Sequence, residues 1–293
     1  MSVVRTPEER FRELPDYPFA PRYLAVDGMR IHYVDEGQGA PVLLLHGEPT
    51  WSFLYRRIIP QVVEAGARAV APDYVGFGKS DKWTDEARYS YTGHVAILTR
   101  VVEALDLRAM TIVVQDWGGP IGLRLAVQQP ERVARLVVLN TGLFTGHEPL
   151  SEGLQAWRAY AARTPDLPAG LVVRRAAVDR GRITDEIVRA YDAPFPDLAS
   201  KAGARAFPAM IPTRPGDPGG REMVETQTAL ARRAPPTLVL WSDQDRVFPI
   251  EAGRRFAGLF PGATFRVVEG AGHFLQEERG AEIGREVARF IAG

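Results

Sequence analysis

A short β-branched run at residues 111–114, Thr-Ile-Val-Val, breaks at Gln115-Asp116-Trp117 and resumes as Gly118, Gly119, Ile121, Gly122 and Leu125 at helical spacing. This pattern predicts a buried strand that turns sharply into a helix, with the glycines allowing helix and strand to pack closely. Such an elbow holds one side chain up at the carboxyl end of its strand. Here that residue is Asp116. An aspartate at this point is also a good helix cap, so taken alone it stands for either a cap or a nucleophile.

Three further segments decide between these readings, because they follow the order in which an α/β-hydrolase layout supplies its parts. Residues 41–51 run from an apolar strand into His46-Gly47-Glu48-Pro49, a loop able to offer a backbone N–H to an oxyanion, with Trp117 N–H as the second donor. Residues 237–249 form another apolar strand followed by Asp243, Asp245 and Pro249. Ala271-Gly272-His273-Phe274 presents a histidine on a glycine-led turn after a strand at 264–268. The predicted triad is therefore Asp116, Asp245 and His273. Asp243 is expected to cap or face solvent. His46 is expected to shape its loop, and His32, His94 and His147 to sit on the surface or in packing.

Strand patterns at 42–45, 67–71, 111–114, 136–139, 238–241 and 264–268 alternate with helical ones, after a hairpin at 23–36 around Asp27-Gly28. The fold class is α/β: a mostly parallel eight-stranded sheet with helices on both faces. Between residues 144 and 214 the alternation stops. Helical patterns at 154–163 and 184–191 are interrupted by Pro165, Pro168, Pro194, Pro196, Pro208 and Pro212. The expected division is a core of 1–143 and 215–293 with a helical cap at 144–214 over the strand ends, where open sheets of this kind bind ligands.

Composition narrows the partners. The 293 residues are 45% hydrophobic, and 36 basic side chains balance 36 acidic ones, which speaks against nucleic acid or an anionic membrane as the main partner. There is no cysteine for a disulfide or thiol nucleophile. No metal-ligand spacing or phosphate loop is present, so no cofactor or metal is expected. Residues 1–12 lack a signal-like apolar stretch, making a cytoplasmic location the expectation.

The blocks His46-Gly47-Glu48-Pro49-Thr50-Trp51, Gln115-Asp116-Trp117-Gly118-Gly119 and Gly272-His273-Phe274 together resemble the haloalkane dehalogenases of the α/β-hydrolase superfamily. So do residues 71–81 and the cap segment Ala193-Pro194-Phe195-Pro196-Asp197. Glu48 and Trp157 are similar to the subgroup that holds halide between two tryptophans, and the resemblance implies that Trp117 and Trp157 do so here. It implies a small halogenated aliphatic substrate, water as co-substrate and halide as product; it does not give the oligomeric state, for which a monomer is the expectation. Indole N–H is a donor with no basic lone pair, which suits a leaving halide. Each tryptophan also has a plain packing reading, and the Glu48 side chain has one as a loop brace. Phe144, Leu154, Phe207, Pro208, Ile211, Val247 and Phe248 are expected to line the pocket, with ordinary core as the alternative for each.

The implied chemistry is displacement of halide by Asp116 to give an alkyl ester, then hydrolysis by water that His273 deprotonates. An epoxide hydrolase is the nearest competitor, using the same triad with Tyr160 and Tyr191 as candidate activators. A non-catalytic receptor on this fold is a third reading. An esterase is disfavoured, since a carboxylate attacking an ester would form an anhydride.

Overall fold

The computed structural model describes residues 2–293. Strands β1 (Arg22–Val26) and β2 (Met29–Gly37) form the hairpin, with Asp27 and Gly28 both at positive φ as a tight two-residue turn requires. The sheet continues with β3 (Pro41–Leu45), β4 (Arg68–Pro72), β5 (Met110–Gln115), β6 (Val133–Leu139), β7 (Thr237–Ser242) and β8 (Thr264–Val268). Their spatial order is β8-β7-β6-β5-β3-β4-β2-β1, antiparallel only where β2 meets β1 and β4. A two-stranded ribbon pairs Val3–Val4 with Lys82–Trp83 outside this sheet.

Side chains alternate across the sheet as strand geometry demands. Leu43, Ile112, Leu136 and Val239 face one core, and Leu44, Val113, Val137 and Leu238 the other. The first core is closed by α2 (Tyr91–Ala104), α3 (Gly118–Gln128), α8 (Gly220–Arg232) and α9 (Ile250–Ala257); the second by α1 (Ile59–Glu64) and α10 (Leu275–Ala292). The chain passes from β3 outward to β4 and then returns to the opposite neighbour of β3, namely β5. That reversal opens a crevice at the carboxyl ends of β3 and β5, between the His46 loop and Asp116.

Four helices follow β6 before the chain returns through α8: α4 (Glu152–Arg163), α5 (Ala169–Ala176), α6 (Asp185–Asp192) and α7 (Ala202–Ala209). They are pinned to the loops at the strand ends. Ser151 caps α4 by accepting the Leu154 N–H, and its hydroxyl donates to Val247 O at 2.6 Å. A Cβ at Gly153 would stand 1.9 Å from Arg246 O, so glycine is what lets α4 press on the loop after β7. Trp51 N–H reaches Ala190 O, and the Tyr191 hydroxyl donates to Glu277 at the start of α10. Glu277 in turn receives both arms of the buried Arg56 guanidinium, at 2.5 and 2.8 Å. Among the described residues no helix is long and apolar enough to cross a membrane, and no group of side chains is placed to hold a metal ion.

Candidate active site

Asp116 sits between β5 and α3 with φ at 48°, a left-handed backbone that aspartate tolerates better than most residues. Three hydrogen bonds hold that conformation: Asp116 N–H to Asn140 O at 2.9 Å, Thr141 hydroxyl to Asp116 O at 2.6 Å, and Gly119 N–H to Asp116 O at 2.9 Å. The neighbouring glycines make room. A Cβ at Gly118 would lie 2.2 Å from Leu45 O, one at Gly119 1.9 Å from the Thr141 hydroxyl, and one at Gly47 2.4 Å from Oδ1 of Asp116.

The loop after β3 closes over the carboxylate, and Glu48 N–H donates to Asp116 Oδ1 at 2.9 Å. Trp117 N–H also favours the charged form of Asp116. The two expected oxyanion donors therefore both act on Asp116. Oδ2 faces the other way, 3.7 Å from Nε2 of His273. Nδ1 of His273 is 2.9 Å from Oδ2 of Asp245, whose Oδ1 accepts Val247 N–H at 2.6 Å. Since a carboxylate only accepts, Nδ1 carries the hydrogen and Nε2 the lone pair of the neutral ring. Asp245, His273 and Asp116 thus form one continuous line. Asp243 instead accepts from Gly270 and Ala271 N–H, shaping the turn that delivers His273.

Burial pushes the Asp116 carboxyl above its ordinary range and Asp245 adds to this, while His273 and the two N–H donors pull partly back. For His273, burial alone would lower the pKa, but the Asp245 and Asp116 carboxylates outweigh it and the result is raised. Glu48 lies well above the usual carboxylate range, because it is buried next to the charge of Asp116; a hydrogen bond from Trp157 opposes this. Its Oε1 is sealed without a partner. The Trp157 indole N–H is therefore directed at the Glu48 carboxyl, a neighbour that sequence spacing gave no means of finding.

Of the five tryptophans, Trp51 and Trp241 have their N–H groups bound to the carbonyls of Ala190 and Phe248. Trp117 is buried against Phe207, with ring centroids 5.3 Å apart, and against Phe144 at 6.4 Å. Phe144 stacks on Phe248, which lies 5.6 Å from the His273 ring. Phe144, Leu154, Val247 and Phe248 also border a groove of about 290 Å³. Ile211 faces a separate cavity of about 640 Å³ beside Arg158 and Arg214. Pro208 is buried inside α7, its carbonyl accepting from Arg158.

His46, His32 and His94 are structural, and His147 is exposed. His46 donates from Nδ1 to Gly47 O and accepts Tyr74 N–H at Nε2. His32 pairs with buried Asp73 at 2.7 Å, and His94 is enclosed by Tyr74, Tyr89 and Phe207. The two tyrosines considered as epoxide activators both have polar partners. Tyr191 is fully buried on Glu277, and Tyr160 receives a hydrogen bond from Arg175. Sequence reasoning missed Gln115, whose amide contacts His273, and Glu278, which accepts Gly272 N–H at 2.7 Å and the Val178 and Asp179 N–H groups at 2.9 Å. Glu278 joins the histidine turn to the end of α5.

Comparison with known proteins agrees with this geometry. Residues 40–280 match the model of the alpha/beta hydrolase fold family. The chain is 40% identical to a haloalkane dehalogenase of Psychrobacter cryohalolentis, across 99% of this chain and 98% of that one. The solved structure of haloalkane dehalogenase DpaA from Paraglaciecola agarilytica NO2, described as tetrameric, superposes with a TM-score of 0.92 at 35% identity, covering 98% of this chain and 97% of that one. A more distant relative, 33% identical over 94% of this chain and 89% of its own length, is the cis-3-alkyl-4-alkyloxetan-2-one decarboxylase of Shewanella oneidensis. With an aspartate at the elbow, a histidine and second aspartate in line with it, and full-length similarity of this strength, the chain belongs to the alpha/beta hydrolase fold family and, within it, to the haloalkane dehalogenases.

Proposed function

We propose that the protein hydrolyses haloalkanes to an alcohol, halide and a proton through an alkyl ester on Asp116, beneath a cap formed by residues 144–214. The observation that carries this reading is the division of labour at Asp116: Oδ1 accepts Glu48 N–H, while Oδ2 lies on the His273 side, 3.7 Å from Nε2. Oδ2 displaces halide from carbon in line, and the new C–O bond replaces the C–X bond. A raised pKa at Asp116 reflects a carboxylate stripped of water, and backbone N–H groups at the start of α3 keep it ionised. The departing halide takes the N–H groups of Trp117 and Trp157. Glu48 shares the Trp157 N–H, and burial keeps its carboxyl toward the neutral acid, so no second negative charge opposes the halide.

The ester removes the charge of Asp116, one of the two charges that raise the proton affinity of His273. The covalent step therefore favours the neutral ring just when Nε2 is needed as base. Water gives its proton to Nε2 and its oxygen to the ester carbon; Oδ1 becomes an oxyanion between Glu48 and Trp117 N–H. Collapse expels the alkoxide, which leaves as the alcohol with the proton from the imidazolium; the second proton of the water leaves the Asp116 carboxyl for solvent, and one solvent oxygen stays in its carboxylate. Asp245 holds the ring tautomer and balances the imidazolium. Tyr191 spends its hydroxyl hydrogen on Glu277, which weighs against an epoxide hydrolase that needs two tyrosine donors. The relationship to a β-lactone decarboxylase sets the sharper alternative. The test is halide release from short bromoalkanes by wild type and Asp116→Ala: release by the former and none by the folded latter is expected. Carbon dioxide from a cis-3,4-dialkyl β-lactone with no halide from any haloalkane would replace this reading.

A further inference from the structure

One buried polar neighbour of the imidazole has no part in that scheme. Gln115 is the last residue of β5, fully buried, with its amide nitrogen 3.3 Å from Nε2 of His273 and 3.3 Å from the His273 carbonyl oxygen. A backbone carbonyl only accepts, so it is the nitrogen of the amide that faces the histidine. Oε1 points away into a sealed place where no donor meets it. Both hydrogen bonds of this side chain thus go to one residue, and the site keeps a buried acceptor unmet to have them.

We propose that Gln115 is a positioning residue for His273, its amide N–H facing the Nε2 lone pair so that the ring stays aimed at Asp116 and stays neutral until water arrives. This rests on the reading of His273 as the base. With Nδ1–H committed to Asp245, Nε2 of the neutral ring can accept from Gln115; protonated Nε2 cannot, and the two N–H groups would repel. The charged and titratable groups around the ring push in the opposite sense. Asp245 lies on the loop after β7 and Asp116 at the elbow, with Glu48 beyond Asp116 on the loop after β3 and Glu278 of α10 bound to Gly272 N–H. When ionised, each of these favours the imidazolium. Gln115 supplies an opposing dipole, and it does so from the residue directly before the nucleophile, so the same strand end fixes both reacting groups.

Rapid-quench kinetics with a bromoalkane tests the proposal. The burst of halide release needs no base and reports the folded, alkylating fraction; the following ester hydrolysis reports His273. Both phases are followed from about pH 5 to 9 in wild type, Gln115→Met and Gln115→Glu. In wild type the hydrolysis phase falls on acidification. In Gln115→Met that acid limb moves upward by about half to one pH unit, the equivalent of one lost neutral hydrogen bond. In Gln115→Glu, which keeps the shape and adds a carboxylate beside Nε2, it moves further in the same direction. A purely structural role would reduce amplitude or rate at every pH and leave the limb in place, and that result would overturn the proposal. A wild-type hydrolysis phase with no acid limb would remove His273 as base and the role of Gln115 with it. A limb that moves only in Gln115→Glu would also sink it, since any added charge would do the same.

Discussion

Arg56, Glu277 and Tyr191 join three parts of the chain far apart in sequence, and Glu277→Gln measures what that junction is worth. Arg56 and Glu277 are 1% and 0% exposed, and they meet through two parallel hydrogen bonds while Tyr191 of α6 donates to the same carboxylate. Glutamine keeps the shape and an acceptor for Tyr191 but leaves the guanidinium as a buried cation with no counter-charge. Breaking a buried pair from one side costs about 3–5 kcal/mol. At about 2.1 cal/mol/K per residue, the 293 residues give an unfolding entropy near 0.6 kcal/mol/K. The melting temperature should therefore fall by about 5–8 °C, read by scanning calorimetry at neutral pH. Arg57, 3.6 Å from the carboxylate and 32% exposed, adds little. Arg56→Met alone should be comparably harmful, whereas the double variant Arg56→Met/Glu277→Gln should recover much of the loss because no charge is stranded. A single variant within a degree of wild type, or a double variant whose loss equals the sum of the singles, would refute the reasoning.

Two further outcomes are expected. His94 is fully buried with neither ring nitrogen hydrogen-bonded, and burial, with a smaller contribution from His46, pushes its pKa down to about 3 from 6.5. Because the unfolded chain binds this proton first, the contribution is intact above about pH 6.5 and is lost as pH falls toward 3, by up to about 5 kcal/mol. His94→Phe should flatten acid denaturation over that window, and a curve that overlays wild type would show that the group does not govern it. Trp157→Phe removes one charge-facing N–H and should weaken halide binding by about 10- to 100-fold, measured by calorimetric titration; unchanged affinity would take Trp157 out of the halide site.

The elbow was legible because its cause is local. A β-branched strand, Asp116 and packing glycines lie within 15 residues, and the glycines are there because Leu45 and Thr141 approach too closely for any Cβ. The sheet was legible for the same reason, since each strand carries its own apolar run. The cap was harder. Helices α5 and α7 escaped notice because proline was read as a boundary, whereas Pro208 lies inside the last turn of α7. Contacts made by folding alone were out of reach: Arg56 and Glu277 are 221 positions apart, Gln115 and His273 are 158 apart, and Glu48 meets Trp157 only when α4 is pressed against the loop after β7.

The central claim is that Asp116 carries the alkyl group between the two steps. His273→Gln removes the base and leaves the nucleophile, so the ester should accumulate when the variant is exposed to a short bromoalkane. Intact-mass measurement should show a gain of one alkyl group, and peptide mapping should place it on Asp116. Stoichiometric halide release from this variant with no mass gain, or with the alkyl group on another residue, would contradict the account.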